Sequence, residues 1–174
     1  MSGIFAVSVV PNGLYGPVWA VGAVVLGIGD GHPVTATFEG QLRAGEATDD
    51  WTRENVVPVV HPPEYPSRAE LLESFWAFWV KHGPGAVCVA DGGHPAVAEL
   101  FRACVHRGAA ARWNKGPHPL HELSTALWAV GADPGGDRRE FCGRPDLVPR
   151  DPVDDATAAA LCWAKVAKMR AGNG

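Results

Sequence analysis

The carboxylates and histidines whose spacing suits chemistry fall in three stretches. Asp151 and Asp155 stand four residues apart at the start of an alanine-rich run. On a helix both carboxylates lie on one side, where they can share a divalent cation. Each also has an ordinary role: Asp151 sits where an N-cap belongs, ahead of Pro152, and Asp155 is an acid favoured by the helix N-terminus. Asp91 follows the apolar run Ala86–Ala90 and precedes Gly92-Gly93. The end of a buried strand is where α/β proteins place ligands, although paired glycines equally suit a plain turn. His94, His118 and His121 form no local HxxxH or HExxH set, and His118 stands between prolines, so zinc is not expected. The glycine-rich segments 27–31 and 83–93 match neither the Walker nor the dinucleotide pattern.

Elements must carry these residues to one place. Ile4–Val10, Val18–Ile28 and Val34–Phe38 are apolar and β-branched, with turn residues between them. They predict an antiparallel meander, its second hairpin marked by Gly29, Asp30 and Gly31. Residues 49–60 read as a connector with a helical turn near Trp51–Asn55. Ser67 and Glu70 form a capping box for a helix with Leu71, Leu72, Phe75, Phe78 and Trp79 on its apolar face, ended by Gly83 and Pro84. Ala86–Ala90 predicts a buried strand, Pro95–His106 a helix, Leu120–Val130 another helix, and 132–150 an irregular loop. The last helix starts at Pro152 and carries Lys165, Lys168 and Arg170 near its end, where positive charge is favoured. The order predicts an α/β fold, a mixed sheet with helices on both faces.

Totals bound the function. One domain spanning 1–174 is expected from 174 residues with no linker or repeat, and 47% apolar residues with 7 Trp and 6 Phe argue against disorder. The net charge is −4 with no basic stripe, so a long nucleic acid is disfavoured, while a short acidic ligand is not. Folding could still gather Arg43, Arg53, Arg112 and Lys115 into a basic groove. Cys88, Cys104, Cys142 and Cys162 form no CxxC pair, and Cys88 and Cys162 sit in apolar runs as core residues. With no signal-like or membrane-length apolar segment, a reducing cytoplasmic location and no membrane contact are expected. Phe75, Trp76, Phe78 and Trp79 exceed one helical stripe. Part of that aromatic helix is therefore expected to pack against a protein partner, with a homodimer favoured.

Several segments together resemble the DEDD-type 3′–5′ exonucleases, in particular the small bacterial exoribonuclease-like group of the RNase H-like superfamily. The meander of residues 4–38 resembles the family's first three strands, Trp51-Thr-Arg-Glu-Asn-Val-Val-Pro58 the connector, and Ala86-Val-Cys-Val-Ala-Asp91 the strand before its middle acid. Pro119-Leu-His-Glu-Leu-Ser124 resembles a later segment, and Arg150-Asp-Pro-Val-Asp-Asp155 the final motif of a histidine, four spacers and an aspartate. The resemblance implies an RNase H-like mixed sheet flanked by helices. It also implies four carboxylates holding two Mg²⁺ or Mn²⁺ ions about 4 Å apart for phosphoryl transfer.

The matching positions depart from that pattern. Ser8 and Val10 stand where the first strand should carry two acids, Arg150 stands at the histidine, and Asp91 and Glu99 flank the middle acid without occupying it. Asp155 matches the last aspartate. The resemblance therefore implies Asp155 and Asp91 as residual catalytic candidates. Ser8 and Arg150 become ligand-binding candidates, and Asp155 with Asp151 the only candidates for a weakly bound Mg²⁺ or Mn²⁺. The expected function is a degenerate, weakly active or non-catalytic exonuclease-like domain that binds a protein partner or short nucleic acid. An active metal-dependent exonuclease with a rearranged acid set and an unrelated enzyme in the same pocket are the alternatives.

Overall fold

The computed structural model describes residues 3–172 apart from 28, 30, 62 and 93, and only the backbone of His94. The expected strand end at Ile28, the hairpin residue Asp30 and the turn residue Gly93 lie outside the described residues. Three strands open the chain: β1 (Ile4–Pro11), β2 (Val18–Leu26) and β3 (Val34–Leu42), paired antiparallel in sequence order. The two-residue strand β4 (Glu64–Tyr65) adds parallel to β3 at one edge. Strands β5 (Val87–Ala90) and β6 (Leu120–Glu122) extend the other edge, each parallel to its neighbour. The result is a six-stranded mixed sheet in the order β4-β3-β2-β1-β5-β6.

Leu120–Glu122 was expected to begin a helix. Instead these residues pair with Cys88–Ala90, and helix α5 covers only Leu123–Ala129. Ladder hydrogen bonds to β5 outweigh local helix propensity there, and the Glu122 carboxylate then caps the helix by accepting from Ser124 and Thr125 N–H. The other helices are α1 (Asp50–Asn55), α2 (Arg68–His82), α3 (His94–His106), α4 (Ala109–Arg112), α6 (Arg138–Cys142) and α7 (Pro152–Gly172). Helix α6 lies inside the stretch read as irregular loop. Asp137 caps it by accepting from Arg139 N–H, and Gly143 closes it at φ 76°.

Helices cover both faces of the sheet. On one face Phe5, Val7 and Val9 meet α2 and α3. Here the aromatic helix is used inside the chain: Phe75, Trp76 and Trp79 are buried, Trp79 stands 5.0 Å from both Phe5 and Phe101, and Phe75 lies 5.4 Å from Phe101. On the other face Ala6, Val24, Leu26 and Val89 meet α5 and α7. Alanines 156, 159 and 160 bring α7 close to the sheet. No described helix is long and apolar enough to cross a membrane.

Helix α7 comes very close to the sheet at Gly22, which faces Ser8 across the β1–β2 pair. A Cβ built on Gly22 would lie 2.1 Å from the Pro152 carbonyl carbon and 2.4 Å from Val153 N. Both neighbours are backbone, so relief requires moving the helix. Gly22→Ala is expected to lower unfolding free energy by about 1–3 kcal/mol in urea titrations. Gly45→Ala, whose added carbon meets open space, should change it by less than about 0.5 kcal/mol. Equal effects would mean that the contact at Gly22 does not set the helix position.

Candidate functional site

Strands β1 and β5 run parallel and end side by side, with Val7 opposite Ala90. Ser8 lies one residue beyond that pair and Asp91 immediately follows β5. Helix α7 starts over the same edge. Its first turns bring Asp155 down beside Ser8, and the residue ahead of its cap is Arg150. Ser8, Asp91, Arg150 and Asp155 all line two adjoining hollows of about 680 and 450 Å³. Residues from three distant stretches of the sequence therefore meet at one sheet edge.

The larger hollow is mostly apolar. Its walls include Val9, Val10, Val56, Pro95 and Ala96, and its rim holds Leu14, Tyr15 and Trp51. Tyr15 is 86% exposed and Trp51 57%. This rim is fastened from below. Asn12 Oδ1 accepts from Thr48 and Asp49 N–H at 2.9 Å, and Asp49 Oδ2 accepts from Thr52 N–H at 2.8 Å. The fully buried Thr52 hydroxyl lies 2.9 Å from Asp49 Oδ2 and 3.2 Å from Pro11 O. These bonds tie the start of α1 to the end of β1, so Trp51 stands on a fixed base. Of the exposed aromatics, Tyr15 and Trp51 border this hollow, whereas Trp113 and Trp128 line neither hollow.

The smaller hollow is polar, lined by Asp137, Arg138, Arg139 and Pro149 among others. Arg138 forms a fork with Asp91: Nε donates to Oδ2 at 2.8 Å and Nη2 to Oδ1 at 3.0 Å. It also donates to Ser124 Oγ and to the carbonyls of Pro134 and Gly136, all at 2.8 Å. Such bidentate, partly buried pairs hold geometry well. Arg139 pairs in the same way with Asp137. Arg150 has no carboxylate within 4 Å among the described residues. Its guanidinium carbon instead lies over the Trp51 ring, 5.9 Å from the ring centre, at the rim of the larger hollow. Its backbone is left-handed at φ 70°, a conformation uncommon for a long side chain and often found at sites of function.

The acids divide by how much they are already used. Asp151 Oδ1 accepts from Val153 and Asp154 N–H at 3.0 Å, so it is the cap of α7. Asp154 accepts from Val148 N–H at 2.7 Å. Asp91 is held by Arg138. Asp155 forms no ion pair among the described residues. Burial pushes its carboxyl up to about 6, partly opposed by the Arg150 backbone N–H and the Arg139 charge, and reinforced by Asp151 and Asp91. Among the described residues no group of three or more His, Cys, Asp or Glu side chains is arranged to hold a metal ion. His118 and His121 line a separate hollow of about 410 Å³ that also takes in Trp79 and Lys115, and His121 packs 5.0 Å from Trp163.

Sequence reasoning singled out Ser8, Asp91, Arg150, Asp151 and Asp155. The fold brings all but Asp151 into the lining of both hollows. It missed Arg138, Arg139, Ser124, Tyr15 and Trp51 as site residues. The Arg138–Asp91 pair spans 47 positions, and no local pattern announces it. The basic set Arg43, Arg53, Arg112 and Lys115 does not gather here: none lines either hollow, Arg53 pairs with Asp50, and Arg112 pairs with Glu73.

A carboxylate with a raised folded-state pKa binds its proton more tightly in the native protein than in the unfolded chain. Stability should therefore fall as pH rises from about 4 through about 6, and ionised Asp155 should cost up to ~2–3 kcal/mol at pH 7. Asp155→Asn keeps the size and removes the charge. It should stabilise the protein at pH 7 and flatten that part of the stability profile, as read by urea unfolding across pH. A loss of stability at pH 7 would show that the ionised carboxylate is better satisfied than its burial implies. Removing the other half of the Asp91 fork with Arg138→Met should destabilise by about 1–3 kcal/mol, because Asp91 is left partly buried and unpaired. An unchanged unfolding midpoint would contradict that role.

No protein-family model matches the chain, and no curated protein matches it at a significant level.

Proposed function

We propose that this chain is an RNase H-like domain of the DEDD exonuclease kind that no longer carries out efficient two-metal hydrolysis and instead holds the end of a short nucleic acid. The observation that carries this reading is the meeting of Ser8, Asp91, Arg150 and Asp155 at the β1–β5 edge. The antiparallel meander followed by strands parallel to β1 fits the RNase H-like plan.

The charge pattern favours binding over hydrolysis. Two divalent cations about 4 Å apart repel strongly unless several carboxylates bridge them. Strand β1 brings Ser8 and Val10 to that edge, and Asp91 is occupied by Arg138. Of the acids lining the two hollows among the described residues, Asp155 is the one neither ion-paired nor used as a helix cap, enough for one weakly held Mg²⁺ or Mn²⁺ with water completing its shell. An aromatic rim suits a nucleic acid end. Bases stack on rings such as Tyr15 and Trp51, while Arg150 meets a phosphate.

A protein partner is the second reading. Leu14 and Tyr15 are 78% and 86% exposed on the same rim, and exposed apolar side chains of this kind also suit a protein contact.

Labelled single-stranded RNA and DNA of a few nucleotides test both parts. With Mg²⁺ or Mn²⁺ present, saturable anisotropy changes are expected without appreciable release of mononucleotides. Loss of one stacking platform costs ~1–3 kcal/mol, so Trp51→Ala should weaken binding by about 5- to 150-fold. Rapid metal-dependent hydrolysis abolished by Asp155→Ala would overturn the loss of catalysis. Absence of binding to either polymer would overturn the nucleic acid reading and leave the protein partner.

A further inference from the structure

Helix α6 lies against α7 through a short set of contacts. Lys165 Nζ donates to Phe141 O at 2.7 Å and sits 4.6 Å from the Phe141 ring centre. Cys162, three residues before Lys165 on the same face of α7, donates its thiol to Arg138 O at 3.2 Å. Cys142, the last residue of α6, donates to Arg139 O at 3.7 Å. The two thiols thus rest on consecutive carbonyls of one five-residue helix. Cys142 also packs on the apolar cluster that contains Cys162. Burial raises the Cys162 thiol to about 12, and the charge and hydrogen bond of the neighbouring Cys142 add to the shift. Cys162 is buried and Cys142 half-buried, so an oxidant reaches Cys142 first. Cys88 and Cys104 belong to the cluster on the opposite face of the sheet.

We propose that Cys142 and Cys162 are a reversible thiol–disulfide pair, oxidised by hydrogen peroxide, that locks α6 onto α7. The Cys142 sulfur attacks one peroxide oxygen, the O–O bond breaks, and a sulfenic acid and one water form. The Cys162 sulfur then displaces the sulfenic oxygen, which leaves with the thiol proton as a second water, and the S–S bond forms. Two thiols are oxidised and one peroxide is reduced by two electrons. Helix α6 can adjust to the bond because it is short and is bounded by Gly136 and by Gly143. The consequence reaches the pocket, since α6 carries Arg138, which grips Asp91. The disulfide fixes that arginine in the polar hollow. This inference does not depend on the nuclease reading.

The test is peroxide treatment of the full chain, blocking of free thiols under denaturing conditions, and peptide mapping by mass spectrometry. The expected product is a monomer lacking two hydrogens, with Cys142 and Cys162 in one cross-linked peptide, restored by dithiothreitol. Its Tm should rise by roughly 5–10 °C, as a closed loop of this size implies. Cys142→Ser should abolish both the cross-link and the shift. Oxidation that stops at a sulfinic acid on Cys142, cross-links between molecules, or unmodified Cys142 would each overturn the proposal. The wild-type peptide map alone decides the matter should the serine variant fail to fold.

Discussion

The pocket depends on how near the last helix can come to the middle of the sheet. At Gly22 the backbone of Pro152 and Val153 occupies the space of a side chain. That contact sets the height of α7 above β1 and β2. That position of the helix carries Asp155 into the lining of the pocket that Ser8 also lines. The alanines at 156, 159 and 160 extend the close approach along the helix, and dispersion over that small-residue seam helps to hold it. Parallel pairing of β1 with β5 supplies the remaining constraint by placing Asp91 beside the end of β1.

Charge within the pocket is arranged in pairs. Asp91 meets Arg138 and Asp137 meets Arg139. Among the described residues Asp155 and Arg150 form no ion pair: Arg150 lies over the Trp51 ring, and its backbone N–H contributes to holding the Asp155 carboxylate. A half-buried acid with a raised pKa, a left-handed arginine and exposed aromatic rings all disfavour the isolated folded state. Their collection at one sheet edge is the pattern expected where stability is exchanged for ligand contact.

The sequence made much of this fold legible. The β-branched meander, the Ser67 cap and the alanine-rich final helix each follow from local propensity and capping, and the structure contains all three. The strand at Leu120–Glu122 was hidden because its only reason to exist is pairing with β5, more than 25 residues away. Helix α6 was hidden by its brevity in a stretch dense with glycine, proline and charge. Within the site, Asp155 and Asp91 stand at element ends and could be found locally. Arg138 could not, because its significance comes from a partner 47 positions earlier. Asp151 was legible in its capping role, and that role uses Oδ1, the oxygen facing the helix N–H groups.

The central claim is that the edge of β1 and β5 keeps a ligand pocket without a two-cation cage. A crystal soaked in Mn²⁺ and measured at the manganese absorption edge tests it most directly. No pair of manganese peaks is expected, with at most one weak peak at Asp155. Two strong peaks about 4 Å apart, coordinated by Asp155 and a second carboxylate freed from its arginine, would contradict the claim.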